Sequence, residues 1–148
     1  MSSQEMFRPN VAAVIINNYG KILICQRVDN NEWQFPQGGI QPGENPLQAL
    51  FRELREEIGV SQFRAIQRSE GTYRYRFPSA HKKRDEYVGQ EQMFYLVKYL
   101  GPNDAIQIDQ REFKNFKWVL VEDLLKLVEP VRVENYEKVM AEFFPKKS

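Results

Sequence analysis

Three glutamates in one short segment, Glu53, Glu56 and Glu57, are the residues of this sequence best suited to chemistry. An α-helix turns about 100° per residue, so their spacing places them within an arc of roughly 100°. Three carboxylates on one patch repel one another unless solvent or a cation neutralises them. Because a glycine-rich loop beginning at Gly38 precedes them, the segment indicates a divalent-cation site. The alternative is a solvated helix face with ion pairs such as Arg52 with Glu56, which is the more common meaning of an isolated acidic face.

The other reactive residues narrow the type of site. His81 is the only histidine and Cys25 the only cysteine, so a His-rich site or a cysteine cluster for zinc is excluded. A serine or cysteine triad would have to use His81, which lies in a basic loop, while Cys25 follows apolar residues that predict a buried thiol. Oxygen ligands suit Mg²⁺ or Mn²⁺, and Mg²⁺ commonly binds a few carboxylates together with substrate phosphates. The sequence therefore predicts hydrolysis at a phosphate.

Length and composition favour one globular domain over residues 1–148. The chain is 42% hydrophobic and 28% charged, and its formal net charge of +1 predicts no general nucleic-acid surface, so we expect no DNA partner. The N-terminal segment has no signal-peptide pattern, and no apolar run could span a bilayer. We therefore expect no membrane partner and a cytoplasmic location, which the single cysteine also fits.

The helix that would carry the glutamates has clear end signals. Asn45 can cap it, Pro46 suits its first position and Gly59 suits the position after its last turn. An apolar stripe along it should pack against a sheet, and consists of Leu47, Leu50, Leu54 and Ile58.

Strands are predicted on both sides of this helix. They comprise a hairpin of 11–16 and 22–26, a strand pair within 66–77, and single strands at 92–99 and 116–121. A short helix over 122–128 and a longer one over 135–144 follow. Strand alternation places Tyr75 on one face and Arg74 and Arg76 on the other. Because strands and helices interleave, we predict an α/β fold with helices on both faces of one sheet.

Residues 38–60 resemble the Nudix box, the signature of the Nudix hydrolases. The pattern fits at every fixed position: Gly38-x5-Glu44-x7-Arg52-Glu53-Leu54-x-Glu56-Glu57-x-Gly59-Val60. The resemblance implies an α/β/α sandwich with a mixed central sheet, and metal-dependent cleavage of nucleoside diphosphates linked to another moiety.

The same resemblance implies roles for individual residues. Glu53, Glu56 and Glu57 would be metal ligands and catalytic residues, with Glu53 as the general base. A backbone carbonyl at or next to Gly38 would complete the ligands. Glu44 and Arg52 would hold the loop and the helix together.

Motifs outside the box resemble a subgroup that contains bacterial RNA pyrophosphohydrolases and plant-type dinucleoside polyphosphate hydrolases. They are Arg8-Pro9-Asn10-Val11, Trp33-Gln-Phe-Pro-Gln-Gly-Gly39, Arg74-Tyr75-x-Phe77-Pro78, Gly89-Gln90-x-Gln92 and Glu112-Phe113-x3-Lys117-Trp118. This resemblance adds Glu112 as a further metal ligand.

Substrate contacts are expected from Arg8 and Arg27, which would bind phosphates, and from Tyr75, which would stack on a base or contact a phosphate. Lys82 and Lys83 could contact a polyphosphate or RNA backbone. The ordinary alternatives are solvation for the charged side chains and core packing for the tyrosine.

One segment departs from the subgroup. Relatives often have a phenylalanine followed by basic residues shortly before the tyrosine of the final helix, whereas residues 131–136 here are Val-Arg-Val-Glu-Asn-Tyr. Only Arg132 preserves the charge. If this segment binds the first base of the substrate, recognition here should be weaker or different.

Our first hypothesis is an RNA pyrophosphohydrolase of mRNA decay, which converts 5′-triphosphate or diphosphate RNA ends to monophosphates with Mg²⁺. Mn²⁺ or another divalent cation would substitute for it. The close alternative is a dinucleoside polyphosphate hydrolase that splits diadenosine tetraphosphate asymmetrically. A binding protein that has lost hydrolysis is disfavoured because the glutamate set is intact. A structural domain is disfavoured because clustering these charges brings no evident stability.

Overall fold

Residues 5–77 and 87–146, which the computed structural model describes, form a seven-stranded mixed sheet with helices on both faces. The strands are β1 (Met6–Ile16), β2 (Ile22–Arg27), β3 (Trp33–Gln34), β4 (Gln37–Gly39), β5 (Phe63–Arg76), β6 (Tyr87–Tyr99) and β7 (Phe113–Val119). The helices are α1 (Pro46–Ile58), α2 (Val121–Leu127) and α3 (Pro130–Phe143), with a short 3₁₀ turn at Asn103–Ala105. The predicted α/β fold with a mixed sheet is confirmed.

The centre of the sheet is the parallel pair of β1 and β6, in which Asn10 lies beside Gln92. The pairs of β1 with β2 and of β6 with β5 are antiparallel. Strand β4 also pairs antiparallel with β1, and Asn10 lies opposite Gly39. The predicted strand pair within 66–77 is wrong, because β5 is one long strand that pairs with β6 along its length. Two register shifts in β5 absorb its extra residues, which explains why its pattern resembled two shorter strands.

The apolar run of β1 is buried on both faces. Val11, Ala13 and Ile15 pack in the core beneath α1, whereas Ala12 and Val14 pack in the core beneath α3. A strand between two helical layers needs apolar residues at consecutive positions rather than alternating ones. Cys25 lies in the α1 core, where burial raises the pKa of its thiol, as expected for an unreactive cysteine.

The ends of α1 are as predicted. Asn45 and Gln48 form a reciprocal capping box, and Gly59 ends the helix in the left-handed conformation at φ 71°. The predicted stripe needs one correction, because Leu47 is exposed. The buried face instead extends from Leu50 towards Glu57, so one of the three glutamates lies on the core side of the helix.

Helix α3 begins at Pro130, five residues before the predicted start at 135. Proline at the first turn of a helix is a recognisable signal, because its missing N–H would be unpaired there in any case. The helix covers one face of the sheet with Tyr136, Val139 and Met140. No helix in the described part of the chain is long and apolar enough to cross a membrane. His81, Lys82 and Lys83 lie outside the described residues.

Candidate active site

A cavity of about 410 Å³ opens at the end of the sheet that carries the start of β1 and the end of β2. It brings together most of the site residues predicted from the sequence: Arg8, Arg27, Gly38, Glu53, Glu57, Tyr75 and Glu112. Acidic and basic groups therefore share one cavity, as hydrolysis of a phosphate requires. The remaining predicted residues, Glu44, Arg52 and Glu56, are not among those that line it.

Two glycines of β4 allow charged side chains to approach the strand from opposite faces. A β carbon at Gly38 would overlap the carboxylate of Glu53, and one at Gly39 would overlap the guanidinium of Arg8. Only glycine leaves this space free. The Glu53 carboxylate and the Arg8 guanidinium thus lie close to β4 on its two opposite faces.

Glu57 is the most buried of the carboxylates. Its side chain is 3% exposed, and its Oε2 accepts a hydrogen bond from the backbone N–H of Gln37 at 3.3 Å. Burial raises its pKa well above the usual range, and the nearby carboxylates of Glu112 and Glu53 raise it further. A cation would stabilise such a buried acidic group, so the donor set fits a divalent metal ion.

Glu53 lies beside Glu57 and is partly buried. Burial raises its pKa, whereas the adjacent Arg52 guanidinium opposes that rise. Glu112 comes from a different part of the chain, the turn before β7, and its carbonyl accepts a hydrogen bond from Val28 N–H at 2.9 Å. The carboxylates of Glu53, Glu57 and Glu112 that line the cavity therefore come from α1 and from a distant turn.

Arg52 joins the glycine-rich loop to α1. Its guanidinium donates to both carboxylate oxygens of Glu44, at 2.7 and 2.9 Å, and to the carbonyl of Gly39 at 2.9 Å. It also donates to Glu53 Oε1 at 2.7 Å. Pairing with Arg52 lowers the pKa of Glu44. One arginine thus fixes the loop and orients a carboxylate of the cavity at the same time.

Glu56 does not line the cavity, although its carboxylate and that of Glu53 accept from the same nitrogen of Arg52. Its side chain is 59% exposed and lies 3.4 Å from Arg52 Nη1. Within residues 5–77 and 87–146, no group of three or more carboxylate, histidine or cysteine side chains forms a ready set of metal ligands.

The predicted substrate-binding residues differ in their surroundings. Arg8 is exposed on the cavity. Arg27 is already paired with both oxygens of Asp29, at 2.9 and 3.0 Å, and this pairing raises its pKa. The Arg132 guanidinium lies 4.4 Å from the ring centroid of Tyr75 and donates to its hydroxyl at 3.0 Å. One face of the tyrosine is therefore covered by an arginine.

Several residues that line the cavity are absent from the site residues predicted from the sequence, among them Gln90, Glu129 and Arg132. Arg132 is 6% exposed and pairs with Glu129 at 3.1 Å. Its Nη1 and the Oε1 of Gln90 are buried without a hydrogen-bond partner in the part of the chain that is described. The i, i+3 spacing of Glu129 and Arg132 in the sequence is compatible with an ion pair on a helix. That Arg132 covers Tyr75 depends on packing between distant segments.

A family model, the NUDIX domain, matches residues 6–143. The chain is 39% identical over 150 residues to an RNA pyrophosphohydrolase of Acinetobacter baylyi, covering 96% of this chain and 90% of that protein. It is 38% identical over 147 residues to an RNA pyrophosphohydrolase of Helicobacter pylori, covering 94% of each.

Solved structures with the same fold include two enzymes. The E. coli dihydroneopterin triphosphate pyrophosphohydrolase has a TM-score of 0.74 at 19% identity, covering 94% of this chain and 97% of that one. A C. elegans Ap4A hydrolase in a binary complex has a TM-score of 0.71 at 23% identity, with 92% and 97% covered. At these identities the likeness concerns the fold.

Proposed function

The chain belongs to the Nudix family, and from this premise we propose that it is an RNA 5′-pyrophosphohydrolase. The observation that carries the choice of RNA is the similarity, over nearly the full length of both chains, to proteins named RNA pyrophosphohydrolase. As a Nudix hydrolase the protein acts on phosphoanhydride bonds. The reaction consumes one water to convert a 5′-triphosphate end to a monophosphate and pyrophosphate, or a 5′-diphosphate end to a monophosphate and phosphate.

Nudix hydrolases generally depend on a divalent metal ion, and we propose Mg²⁺, with Mn²⁺ or another divalent cation able to substitute. Glu53, Glu57 and Glu112 would hold it, with Glu56 and a backbone carbonyl at or next to Gly38. When bound, the ion would neutralise charge on the phosphate oxygens and lower the pKa of the attacking water. The burial of Glu57 beside two other carboxylates supports this assignment.

The protein side chains would bind the substrate and move the proton. Glu53 would act as the general base, accepting the proton of the water at the oxygen that Arg52 leaves available. Arg8 would bind phosphate oxygens from the opposite side of β4. Arg27 would join it by exchanging Asp29 for a phosphate, a partner with higher charge.

The second candidate is asymmetric hydrolysis of a dinucleoside polyphosphate such as diadenosine tetraphosphate. The same acidic and basic groups suit both substrates, since both contain a phosphoanhydride chain. Val131 and Arg132, which belong to the segment that departs from the subgroup, line the cavity. A difference in the bases that are accepted would therefore arise there.

A competition assay separates the two candidates. The purified protein with Mg²⁺ is given 5′-triphosphate RNA and diadenosine tetraphosphate at equal concentrations, and kcat/KM is measured for each. We expect the larger value for the RNA. A large preference for the dinucleotide would replace the first candidate by the second. We also propose that residues 1–148 form one Nudix domain and that the enzyme meets its RNA substrate in the cytoplasm.

A further inference from the structure

Three amide side chains on adjacent strands form a hydrogen-bonded network that reaches the wall of the cavity. Gln92 Nε2 on β6 donates to Asn10 Oδ1 on β1 at 2.9 Å, and Asn10 Nδ2 donates to Gln37 Oε1 on β4 at 2.5 Å. Asn10 and Gln92 are each 1% exposed. Gln37 is only partly buried and lines the cavity. The network therefore extends from the core to the surface where a substrate would bind.

Core packing alone does not explain these amides. The next residues on the same face of β1, Ala12 and Val14, are apolar and lie in the core, so Asn10 is a polar residue at the border of an apolar face. Burying an amide is unfavourable unless its polar atoms are paired, whereas a fully paired network fixes orientations. The orientation of Gln37 is the feature that this network determines.

The direction of the hydrogen bonds in this network decides which end of the Gln37 amide is available. Its Oε1 is occupied by the donor from Asn10, so its Nε2 carries the hydrogens that remain for another partner. An amide turned the other way would present an oxygen to an anionic substrate and repel it. Gln37 also donates its backbone N–H to Glu57, so it borders the acidic group as well.

We propose that Asn10 and Gln92 are positioning residues that hold Gln37 so that its Nε2 donates to a phosphate oxygen of the substrate. This inference rests on the proposed function, because it requires a substrate with a phosphate chain. Gln92 does not line the cavity, and Asn10 lines it but is only 1% exposed. Gln37 is the amide of the three that is accessible to a substrate, so the other two would act through it. In this role Gln37 favours the charge that develops on phosphate oxygens during the reaction.

A double-mutant cycle tests this dependence. Gln37→Met keeps the length of the side chain and removes its donors, and we expect kcat/KM on 5′-triphosphate RNA to fall about a hundredfold. Asn10→Leu should lower it about tenfold in the natural background and have no further effect when Gln37 is already Met. Gln92→Met should behave like Asn10→Leu and replaces it if that variant does not fold.

Two outcomes would overturn the proposal. One is an unchanged kcat/KM in Gln37→Met, and the other is a pair of effects that multiply in the double variant, as a general loss of structure would produce. Asn17→Ala is the matched control, since Asn17 is a buried amide at the opposite end of β1. It should lower the melting temperature without changing kcat/KM.

A measurement without turnover separates this inference from the proposed function. Methylenediphosphonate with Mg²⁺ is titrated into the ¹⁵N-labelled protein, and the side-chain NH₂ signals of Gln37 are followed by NMR. We expect them to shift in the natural protein and to shift far less in Asn10→Leu. Equal shifts in both proteins would refute the positioning role. If neither RNA nor dinucleotide is hydrolysed, the proposed function fails and this titration still decides the inference.

Discussion

At the scale of single residues, Glu57 is the carboxylate whose charge is least compatible with its surroundings. It is buried, and the carboxylates of Glu53 and Glu112 lie close to it. A proton or a cation can relieve this repulsion, so the two should compete for the site. The stability of the protein should therefore depend on pH and on Mg²⁺ together.

Without a divalent cation, we expect stability to fall as the pH rises from 4.5, the usual pKa of a glutamate, through the raised pKa of Glu57. In this window the folded protein binds more protons than the unfolded chain, so removing protons favours unfolding. Mg²⁺ should offset the loss because it binds the folded state. Melting temperatures measured from pH 4.5 to about pH 8, in EDTA and in Mg²⁺, test this.

Glu57→Gln is the control for that experiment. The amide does not titrate, so this variant should lose less stability with rising pH in EDTA and gain less from Mg²⁺. Parallel pH curves for the natural protein and the variant would show that another group causes the dependence.

The general base can be tested at Glu53. Glu53→Gln should lower kcat by at least about a hundredfold, because an amide cannot accept the proton of the water. The hydrogen bond from Arg52 would remain, since the glutamine Oε1 can still accept it. Steady-state kinetics on 5′-triphosphate RNA measure the effect. Glu122→Gln, at an exposed position on α2, serves as the matched control and should leave kcat unchanged. An unchanged kcat in Glu53→Gln would show that Glu53 is not the general base.

Residue types and spacing predict an acidic candidate site, of which the structure places Glu53 and Glu57 on one cavity, but they do not predict its internal geometry. The pattern over residues 38–60 identified the three glutamates, yet it did not show that Glu57 would be buried and Glu56 exposed. That difference depends on which side of α1 faces the sheet. Contacts such as that of Arg132 with Tyr75, which are 57 positions apart, form only when the tertiary structure does.

At the scale of elements, local signals predicted α1 best. Its cap, first turn and end depend on neighbouring residues, and the structure has all three where they were expected. The long strand β5 was predicted less well because two register shifts in its pairing with β6 interrupt its alternation. Helix α3 starts earlier than the predicted 135 because Pro130 occupies its first turn.

The cap of α1 provides a prediction at this scale. Asn45→Ala should lower the free energy of unfolding by about 1 kcal/mol, because the backbone N–H of Gln48 loses its acceptor. Urea denaturation measures the change. Asn18→Ala, in the exposed turn between β1 and β2, should have a smaller effect. Equal losses in the two variants would show that the cap contributes nothing specific.

At the scale of the whole molecule, the final helix α3 packs against the segment between β3 and β4, which precedes the glycines of the cavity. Tyr136 on α3 stacks on Phe35 with ring centroids 4.2 Å apart, and its hydroxyl accepts a hydrogen bond from Phe35 N–H at 3.1 Å. Phe35 lies between β3 and β4, two residues before Gln37. The final helix thus contacts a segment from the first quarter of the sequence, and no local pattern could have predicted this contact across 101 positions.

Tyr136→Phe removes only the hydroxyl and tests how much its hydrogen bond with Phe35 contributes to stability. The buried N–H of Phe35 would lose its partner, so the free energy of unfolding should fall by about 1–3 kcal/mol, measured by urea denaturation. Tyr19→Phe is the matched control, because that side chain is 77% exposed and should change stability little. Because the aromatic stack is retained, α3 should still fold onto the sheet. Identical stabilities of the two variants would mean that packing of the rings, without the hydrogen bond, holds α3 in place.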